Sequence, residues 1–510
     1  MHFLETYAPV ARMETIRIIT AFIILFNLQA KQIDIKTAYL NGLIDMELFM
    51  EIPEGIEGYD RSTKCCKLLK SIYGLKQAGK IWNDEITSTL TTLGFKRSVS
   101  EPCIYFKNCN GELSIILIYV DDMIIATSTT KQYKIIIQTI KSKYKVKELG
   151  DLNNFLNINF IIKDDHIIMS QENYINKLIN KFNLQDSKPI WTPLSPSTDL
   201  SNFNESSILK DNTLYRQIIG GLMYLMTSTR PDISYAVSVL SRYLDKPTMA
   251  HLKASKRVLS YLKTTKSYSL KYQKGNNIFI KTYVDADWAQ DKQTRKSTSG
   301  MVIYLNNNII SWRSKKQSNV ALSTMEAEYS ALCLASQNTI WLQHLIAELG
   351  LITSQEPVIY CDNQAAIKLS KNDMITNRAK HTEIKMHFIR NQVKFKKIQL
   401  KYINTENNIA DIFTKNVTKQ KFYYFIKFII STISNLKCNS TKDTFLISNF
   451  LKNKNSKTRC ASLEKVGDML SNTGPVNSNL KPDSTVSTVD SAGTVPCFPN
   501  YDGGSPIVTP

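Results

Sequence analysis

Residues 114–127 read Ser-Ile-Ile-Leu-Ile-Tyr-Val-Asp-Asp-Met-Ile-Ile-Ala-Thr: an apolar run, two aspartates, and a second apolar run. Two strands flanking a tight acidic turn account for this pattern most simply. Adjacent carboxylates among apolar residues are expensive, because burying unpaired anions costs several kcal/mol. Two readings are open for Asp121 and Asp122. A hard divalent cation neutralises them, or they form an exposed turn that closes a hairpin. Asp34 is a third carboxylate at the end of a short strand, in Gln-Ile-Asp-Ile-Lys-Thr-Ala-Tyr-Leu at 32–40. Carboxylates at the ends of adjacent strands suit two metals ~3.5–4 Å apart, an arrangement for nucleotidyl transfer.

Outward from the hairpin, the pattern is that of a mixed α/β chain. Residues 11–29 predict a fully buried helix, Lys31–Ile35 a strand, and Lys67–Leu93 an amphipathic helical region broken near Gly74 and Gly79. Short strands are expected over 155–170, and 185–213 reads as a connector. Residues 214–264 predict three helices, separated at Arg230-Pro231-Asp232 and Lys246-Pro247, with each proline where a helix can begin. From 278 a β-β-β-α-β-α alternation indicates a further mixed domain.

The 510 residues carry 64 Lys plus Arg against 44 Asp plus Glu, a net charge of +20, which favours a polyanionic partner. Residues 441–510 hold seven basic and six acidic side chains, so the excess lies before them. That segment, rich in Ser, Thr, Asn and Pro, is expected to be disordered. None of the nine cysteines has CxxC or zinc-ligand spacing, which indicates reduced intracellular thiols. The most apolar stretch, Ile16–Leu28, contains Arg17 and Asn27 and is too short to span a bilayer. No membrane association and no signal peptide are expected.

The C-terminal half has its own acidic set. Asp285 lies in Thr-Tyr-Val-Asp-Ala-Asp-Trp at 282–288, Glu328 in Ser-Thr-Met-Glu-Ala-Glu-Tyr at 323–329, Asp362 after Val-Ile-Tyr-Cys at 358–361, and Asp411 in Asn-Ile-Ala-Asp-Ile-Phe at 408–413. Singly, each reads as a helix cap or a solvated acid. Together, in strand–helix–strand–helix order, they suit two cations that orient water for attack on a phosphodiester. Asp287 competes with Asp285. Glu326 competes with Glu328, and residues two apart on a helix point in different directions.

The blocks ETYAPVAR at 5–12, QIDIKTAYLNG at 32–42, SIYGLKQAGKIW at 71–82 and YVDD at 119–122 resemble the reverse transcriptase of copia-type LTR retrotransposons. DADWAQD at 285–291, RKSTSG at 295–300, ALSTMEAEYSAL at 321–332, YCDNQAAI at 360–367, KHTEIKMHFIR at 380–390 and NNIADIFTK at 407–415 are similar to the ribonuclease H of the same elements. The resemblance implies a right-hand polymerase fold followed by a ribonuclease H-like mixed sheet. It makes Asp34, Asp121 and Asp122 the palm metal ligands, and Asp285, Glu328, Asp362 and Asp411 the ligands of the second site, with two Mg²⁺ at each. Tyr39 would be the gate against a ribose 2′-OH, with a core aromatic as its other reading, and Gln77 would lie beside the incoming nucleotide.

The implied partners are an RNA template, a DNA primer, their hybrid and dNTPs, in the cytoplasm (within a virus-like particle) or the nucleus. His381 and His387, beside Lys380, Lys385 and Arg390, read as phosphate contacts or as a solvated basic helix. Lys253, Lys256, Arg257 and Lys263 read as hybrid contacts or as solvated side chains. Tyr360, Trp312 and Trp341 are expected in the core. The expected organisation is 1–165 fingers remnant and palm, 166–275 helical thumb or connection, 276–416 ribonuclease H-like, and 417–510 tail. The family's basic finger residues precede the point where this chain starts, so an N-terminally truncated polymerase is expected. The rival reading is a catalytically dead nucleic-acid-binding remnant.

Overall fold

The computed structural model describes residues 6–432 apart from 45, 110, 196–197, 199, 201–207, 276 and 372–382. The chain falls into two compact units, Met1–Cys438 and Asn439–Pro510. The second unit, and the disorder expected over 441–510, lie outside the described residues.

The first region runs from helix α1 (Met13–Leu25) through strand β1 (Gln29–Ile35) and a 3-10 turn at Ala38–Asn41 to a small ribbon, β2 (Phe49–Met50) and β3 (Cys66–Lys67). It continues with α2 (Ala78–Thr92), β4 (Lys96–Arg97), β5 (Ile104–Cys109), β6 (Glu112–Tyr119), β7 (Asp122–Thr127), α3 (Thr130–Lys143) and β8 (Val146–Asp151). Next come β9 (Asn154–Phe155), β10 (Ile158–Ile162), β11 (His166–Ser170), α4 (Glu172–Lys181), α5 (Thr213–Ser228), α6 (Ser234–Leu240), α7 (Met249–Thr264) and β12 (Tyr268–Gln273). The last stretch holds β13 (Ile280–Ala286), β14 (Thr298–Leu305), β15 (Asn308–Lys316), α8 (Thr324–Glu348), β16 (Val358–Cys361), α9 (Gln364–Lys371), α10 (Glu383–Lys394), β17 (Gln399–Tyr402), a 3-10 turn at Ile409–Phe413, α11 (Lys419–Ile429) and β18 (Ser431–Thr432).

Three sheets organise these elements. The six-stranded sheet has the order β4-β5-β6-β7-β1-β8 and is antiparallel throughout. A five-stranded sheet runs β18-β12-β11-β10-β9, and a mixed one runs β15-β14-β13-β16-β17 with β16 parallel to both neighbours. No described helix is long and apolar enough to cross a membrane.

Helix α1 joins the three sheets. Every residue from Glu14 to Ile24 is buried, as expected for a helix that is apolar nearly all round. Its one interior cation, Arg17, is buried with it. The Arg17 guanidinium donates to the carbonyls of Thr227 (2.5 Å) and Ser228 (2.8 Å) at the end of α5, and to Ile310 in β15 (2.6 Å). It stacks on Trp312, 3.9 Å from the ring centroid, and Trp312 donates to Met226 O at 2.8 Å. Helix C-termini carry partial negative charge and orphan carbonyls, so a buried guanidinium suits this position.

A second seam joins α8 to the six-stranded sheet. The Glu348 carboxylate accepts from Val99 N and Ser100 N, both at 3.0 Å, and Trp341 donates to Ser100 O at 2.8 Å. Of the three aromatics expected in the core, Trp312 is buried. Trp341 is half-buried on this seam, and Tyr360 is half-buried in a stack with Tyr283.

Several sequence expectations need correction. The helix expected from residue 67 begins only at Ala78, because Gly74 takes a left-handed turn (φ +100°) and residues 68–77 run as bridge and turns. Gly79 lies within α2 and does not break it. The expected boundary at 165/166 cuts the β10–β11 hairpin, and β12 and β18 complete that same sheet. Residues 417–432 therefore do not belong to a tail: α11 buries Phe422, Phe425, Ile426 and Ile429, and β18 pairs with β12.

Arg17→Met keeps the bulk and removes the donors. It is expected to lower stability by at least ~2 kcal/mol, since two buried carbonyls and a part-buried one lose their charged partner. Urea unfolding checks this, and a loss within ~0.5 kcal/mol, typical of a surface site, would refute the role given to Arg17.

Candidate active sites

The first site is built on the central strands of the six-stranded sheet. Asp34 on β1 faces Asp122 on β7 in the antiparallel register, so both side chains leave the same face. Val120 and Asp121 form the turn between β6 and β7. Val120 has φ +57°, a strained conformation for a β-branched residue. Two contacts hold it: Trp82 Nε1 donates to Val120 O at 2.7 Å, and Ile35 N donates to Asp121 O at 2.9 Å. Strain of this kind costs ~1–3 kcal/mol and persists where the surroundings over-determine it.

The carboxylates repel one another. Asp122 is half-buried, and burial, then Asp121, then Asp34 push its pKa up to about 6, against a hydrogen bond from Gln32. The three acids converge electrostatically, but Asp34, Asp121 and Asp122 are not a set whose ligand atoms all lie within 4.8 Å of one another. Metal-bridging spacing is thus not met at this site as it stands.

Tyr39 follows Thr37, which is itself left-handed at φ +51°. Tyr39 is half-buried, with its ring 6.0 Å from that of Tyr73, and burial, then Asp121, hold its hydroxyl above the usual phenol range. It lies at the rim of the acidic turn, not in the core. Gln77 caps the start of α2 at 5% exposure, and neither polar atom of its amide has a hydrogen-bond partner. A buried amide left open is the kind of group a ligand satisfies.

The second site is more tightly closed. Strands β13 and β16 are parallel, with Tyr283 opposite Tyr360, so Asp285 and Asp362 leave the sheet at the same edge. Carboxyl ends of parallel strands are where α/β sheets bind ligands. Helix α8 adds Glu328, and the 3-10 turn adds Asp411. Ligand atoms of Asp285, Asp362 and Asp411 all lie within 4.8 Å of one another, as do those of Glu328, Cys361 and Asp362.

Local contacts engage Glu326 and Asp287 elsewhere. Glu326 is used as a cap: Ser323 Oγ accepts from Glu326 N at 3.2 Å, and Glu326 Oε2 accepts from Leu322 N at 2.7 Å. Glu328 is left to face Asp285 and Asp362. Asp287 is likewise spent on structure, accepting from Thr298 N at 2.9 Å.

One glycine makes the site possible. Gly300 pairs with Asp285 across the β13–β14 ladder. A Cβ there would stand 2.6 Å from Thr414 Cγ2 and 2.9 Å from Ala410 O. Its absence lets the 409–414 segment press onto the sheet. Asn408 anchors that segment by donating to Val284 O at 2.9 Å.

Two lysines balance the charge. Lys415 Nζ lies 2.8 Å from Asp411 Oδ1 and 3.8 Å from Asp285 Oδ2, and Lys421 Nζ lies 2.7 Å from Asp411 Oδ2. The Asp411 contacts are ion pairs and not aligned hydrogen bonds. Thr414 donates to Asp285 Oδ2. Asp285, 2% exposed, is still pushed up to about 7, by burial and then by Asp411, with Lys415 and Thr414 opposing. Glu328 is driven well above the usual carboxylate range, by burial and then by Asp285 and Asp362. Sequence reasoning missed Thr414, Lys415, Lys421 and Cys361. The i,i+4 spacing of Asp411 and Lys415 was visible, whereas nothing local ties Lys421 to the site.

The basic candidates are mostly committed to the fold. Lys385 donates to Ser330 Oγ (3.0 Å) and Arg390 to Leu369 O (3.0 Å), tethering α10, which also carries His387. Lys380 and His381 lie outside the described residues. Arg257 donates to Thr192 Oγ1 (3.1 Å) and Lys263 to Ser187 O (2.7 Å), pinning the connector, while Lys253 is exposed and Lys256 half-buried.

A family model described as reverse transcriptase (RNA-dependent DNA polymerase) matches residues 1–196. The retrovirus-related Pol polyprotein from transposon RE1 of Arabidopsis thaliana is 37% identical over 425 residues, covering 83% of this chain and 29% of that protein. The one from transposon TNT 1-94 of Nicotiana tabacum is 37% identical over 428 residues, covering 82% and 32%. The chain thus spans about a third of the length of these relatives. A transposon Ty5-1 protein of Saccharomyces cerevisiae is 36% identical over 298 residues, covering 58% of this chain and 96% of that protein. Among solved structures, LC11-RNase H1 from compost overlaps at 16% identity and TM-score 0.22, covering 27% of this chain and 92% of that one. At this score the overlap adds nothing to the topology described above.

Two expectations follow from the geometry. The folded chain holds the Asp122 proton more tightly than the unfolded chain, so the group costs stability as pH rises from about 4 toward about 6, with the full cost above that. In EDTA, Asp122→Asn should therefore stabilise the protein at neutral pH and not below about pH 4. Denaturant midpoints across pH check this, and a gain independent of pH would contradict it. Gly300→Ala should cost ~1–3 kcal/mol through overpacking against a backbone carbonyl, and should weaken divalent-cation binding measured by calorimetry. Unchanged cation affinity would show that the close approach does not position Asp411.

Proposed function

This chain belongs to the reverse transcriptase family of copia-type retrotransposon Pol polyproteins, and from that premise we propose that it is an RNA-directed DNA polymerase joined to a ribonuclease H. The observation that carries the hydrolytic half is the convergence of Asp285, Asp362 and Asp411, with Glu328 beside them, at one edge of a mixed sheet. The donor set fits a hard divalent cation: all three converging ligands are oxygens, and the buried Glu328 Oε2 has no hydrogen-bond partner. Asp285, Glu328, Asp362 and Asp411 would hold two Mg²⁺ at the second site; at the first, Asp34, Asp121 and Asp122 would hold two only once drawn closer together than they stand. Bound there, the cations would supply an activated oxygen nucleophile and neutralise the leaving oxygen.

The chain's own residues do the positioning. Thr414 and Lys415 aim the Asp285 and Asp411 carboxylates, and Lys421 balances Asp411 until a cation does so. At the first site, the strained Val120 turn holds Asp121 and Asp122 toward Asp34, and Tyr39 closes the rim where a ribose 2′-OH would enter. Gln77 offers its free amide to a nucleotide beside the template. The net charge of +20 supports binding of an RNA template, a DNA primer and their hybrid through the phosphate backbone, with dNTPs as polymerase substrates.

The test uses the full chain and a labelled RNA–DNA hybrid with Mg²⁺. The RNA strand should be cut, EDTA should stop cutting, and Asp362→Asn should reduce it to background while hybrid binding persists. Asp122→Asn should leave cutting intact and remove dNTP incorporation on a primed RNA template. Good hybrid binding with no cutting by the unsubstituted chain would favour the non-catalytic binder. Cutting that survives Asp362→Asn would remove these residues from the active site.

A further inference from the structure

The second site contains a ligand that two-cation phosphodiester hydrolysis does not call for. Cys361 is the last residue of β16, a strand paired on both sides, and it is fully buried. Its sulfur, a Glu328 oxygen and an Asp362 oxygen all lie within 4.8 Å of one another. The Asn363 N–H donates to Cys361 Sγ at 3.4 Å, but burial, and then the Glu328 charge, hold the thiol well above its usual range, so a bound cation must displace its proton. Glu328 is 7% exposed, and its Oε2 has no hydrogen-bond partner. A buried acceptor and a buried thiol thus share one gap, and nothing in the fold satisfies the acceptor.

Ligand chemistry separates this set from its neighbour. Asp285, Asp362 and Asp411 offer oxygens only, which suits a hard cation held in octahedral geometry. One thiolate with two carboxylates suits a softer ion: Zn²⁺ is bound by Cys, Asp and Glu in tetrahedral sites, with the fourth position open to water. The two sets share Asp362, so they cannot be filled independently.

We propose that Cys361, Glu328 and Asp362 form a thiophilic site that takes Zn²⁺ or Cd²⁺, and that an ion bound there competes with the hard cations for Asp362. Binding forms a metal–sulfur bond and releases the thiol proton to solvent, with no redox change. The competition deepens the hydrolytic reading of the site, whereas soft-metal binding itself stands apart from any activity. The site would make the protein sensitive to free zinc while it works on magnesium.

Cd²⁺ is the probe, because cadmium–thiolate bonds give a charge-transfer band in the near ultraviolet. The full chain, reduced and freed of metal, is titrated alongside Cys361→Ser. Since the chain has nine cysteines, the difference between the two titrations isolates the site. One extra saturable equivalent of the band is expected in the unsubstituted chain. Glu328→Gln keeps the thiol and should weaken that equivalent by at least ~10-fold, which tests the site even if Cys361→Ser folds poorly. Excess Mg²⁺ should shift the titration to higher Cd²⁺.

Identical titrations for the unsubstituted chain, Cys361→Ser and Glu328→Gln would overturn the site. A Cd²⁺ equivalent indifferent to Mg²⁺ would overturn the competition. Hybrid cleavage by the unsubstituted chain, measured with Zn²⁺ and rising Mg²⁺, separates the two readings. Absence of cleavage with the Cd²⁺ equivalent present defeats the enzyme assignment and leaves the metal site standing. Cleavage without that equivalent does the reverse.

Discussion

The contacts of Arg17 constrain the architecture more than any other. A guanidinium inside an apolar helix is tolerable only where acceptors meet it, and here they come from α5 and β15. The same group stacks on Trp312, whose indole closes a further carbonyl of α5. Helix α1 is thereby committed to two partners at once, α5 and β15. The two acidic sites consequently hang on a common core, and one sheet crosses two of the expected boundaries, 165/166 and 416/417.

The two sites solve the problem of crowded carboxylates differently. At the first, the acids are only partly buried and no cation among the described residues offsets them, so burial of Asp122, and then the charges of Asp121 and Asp34, hold its proton in place. At the second, Asp285, Glu328 and Asp411 are buried, Asp362 is half-buried, and the protein supplies its own cations, Lys415 and Lys421. Burying one carboxylate without a partner costs several kcal/mol, so four in one place need either ammonium groups or metal. The second site is preorganised by packing, down to the missing side chain at Gly300. The first is preorganised by a strained turn.

Much of this was legible in the sequence, for identifiable reasons. The 114–127 hairpin announces itself because apolar alternation stops at two acids and resumes, and Asp34 is legible from its own short strand. The β-β-β-α-β-α order after 278 is legible because polar turns bound the elements. Helical geometry allows only one of Glu326 and Glu328 to face the cluster, the family resemblance favours Glu328, and Glu326 takes part in the cap at Ser323. What stayed hidden depends on distant partners. The start of α2 was misplaced because residues 67–77 have helical composition but are held by a strand pairing and turns. The role of α11 was invisible because its apolar stripe looks like any short amphipathic segment until the 3-10 turn at Ile409–Phe413 and Tyr261 of α7 pack on it. Cys361 was passed over because zinc-type spacing was sought along the chain, while its companions are assembled across a strand and a helix.

The burial of α1 also bears on how the protein is made. The Arg17–Ile310 hydrogen bond closes over 293 residues of chain. At ~5–20 residues per second, a ribosome needs roughly 15–60 s to deliver that strand after the helix has emerged. For that interval an almost entirely apolar helix, carrying one unmatched cation, has no β15 to cover it. Nascent chains of this kind are exposed to aggregation, so the yield of folded protein is expected to depend on what shields α1 during translation.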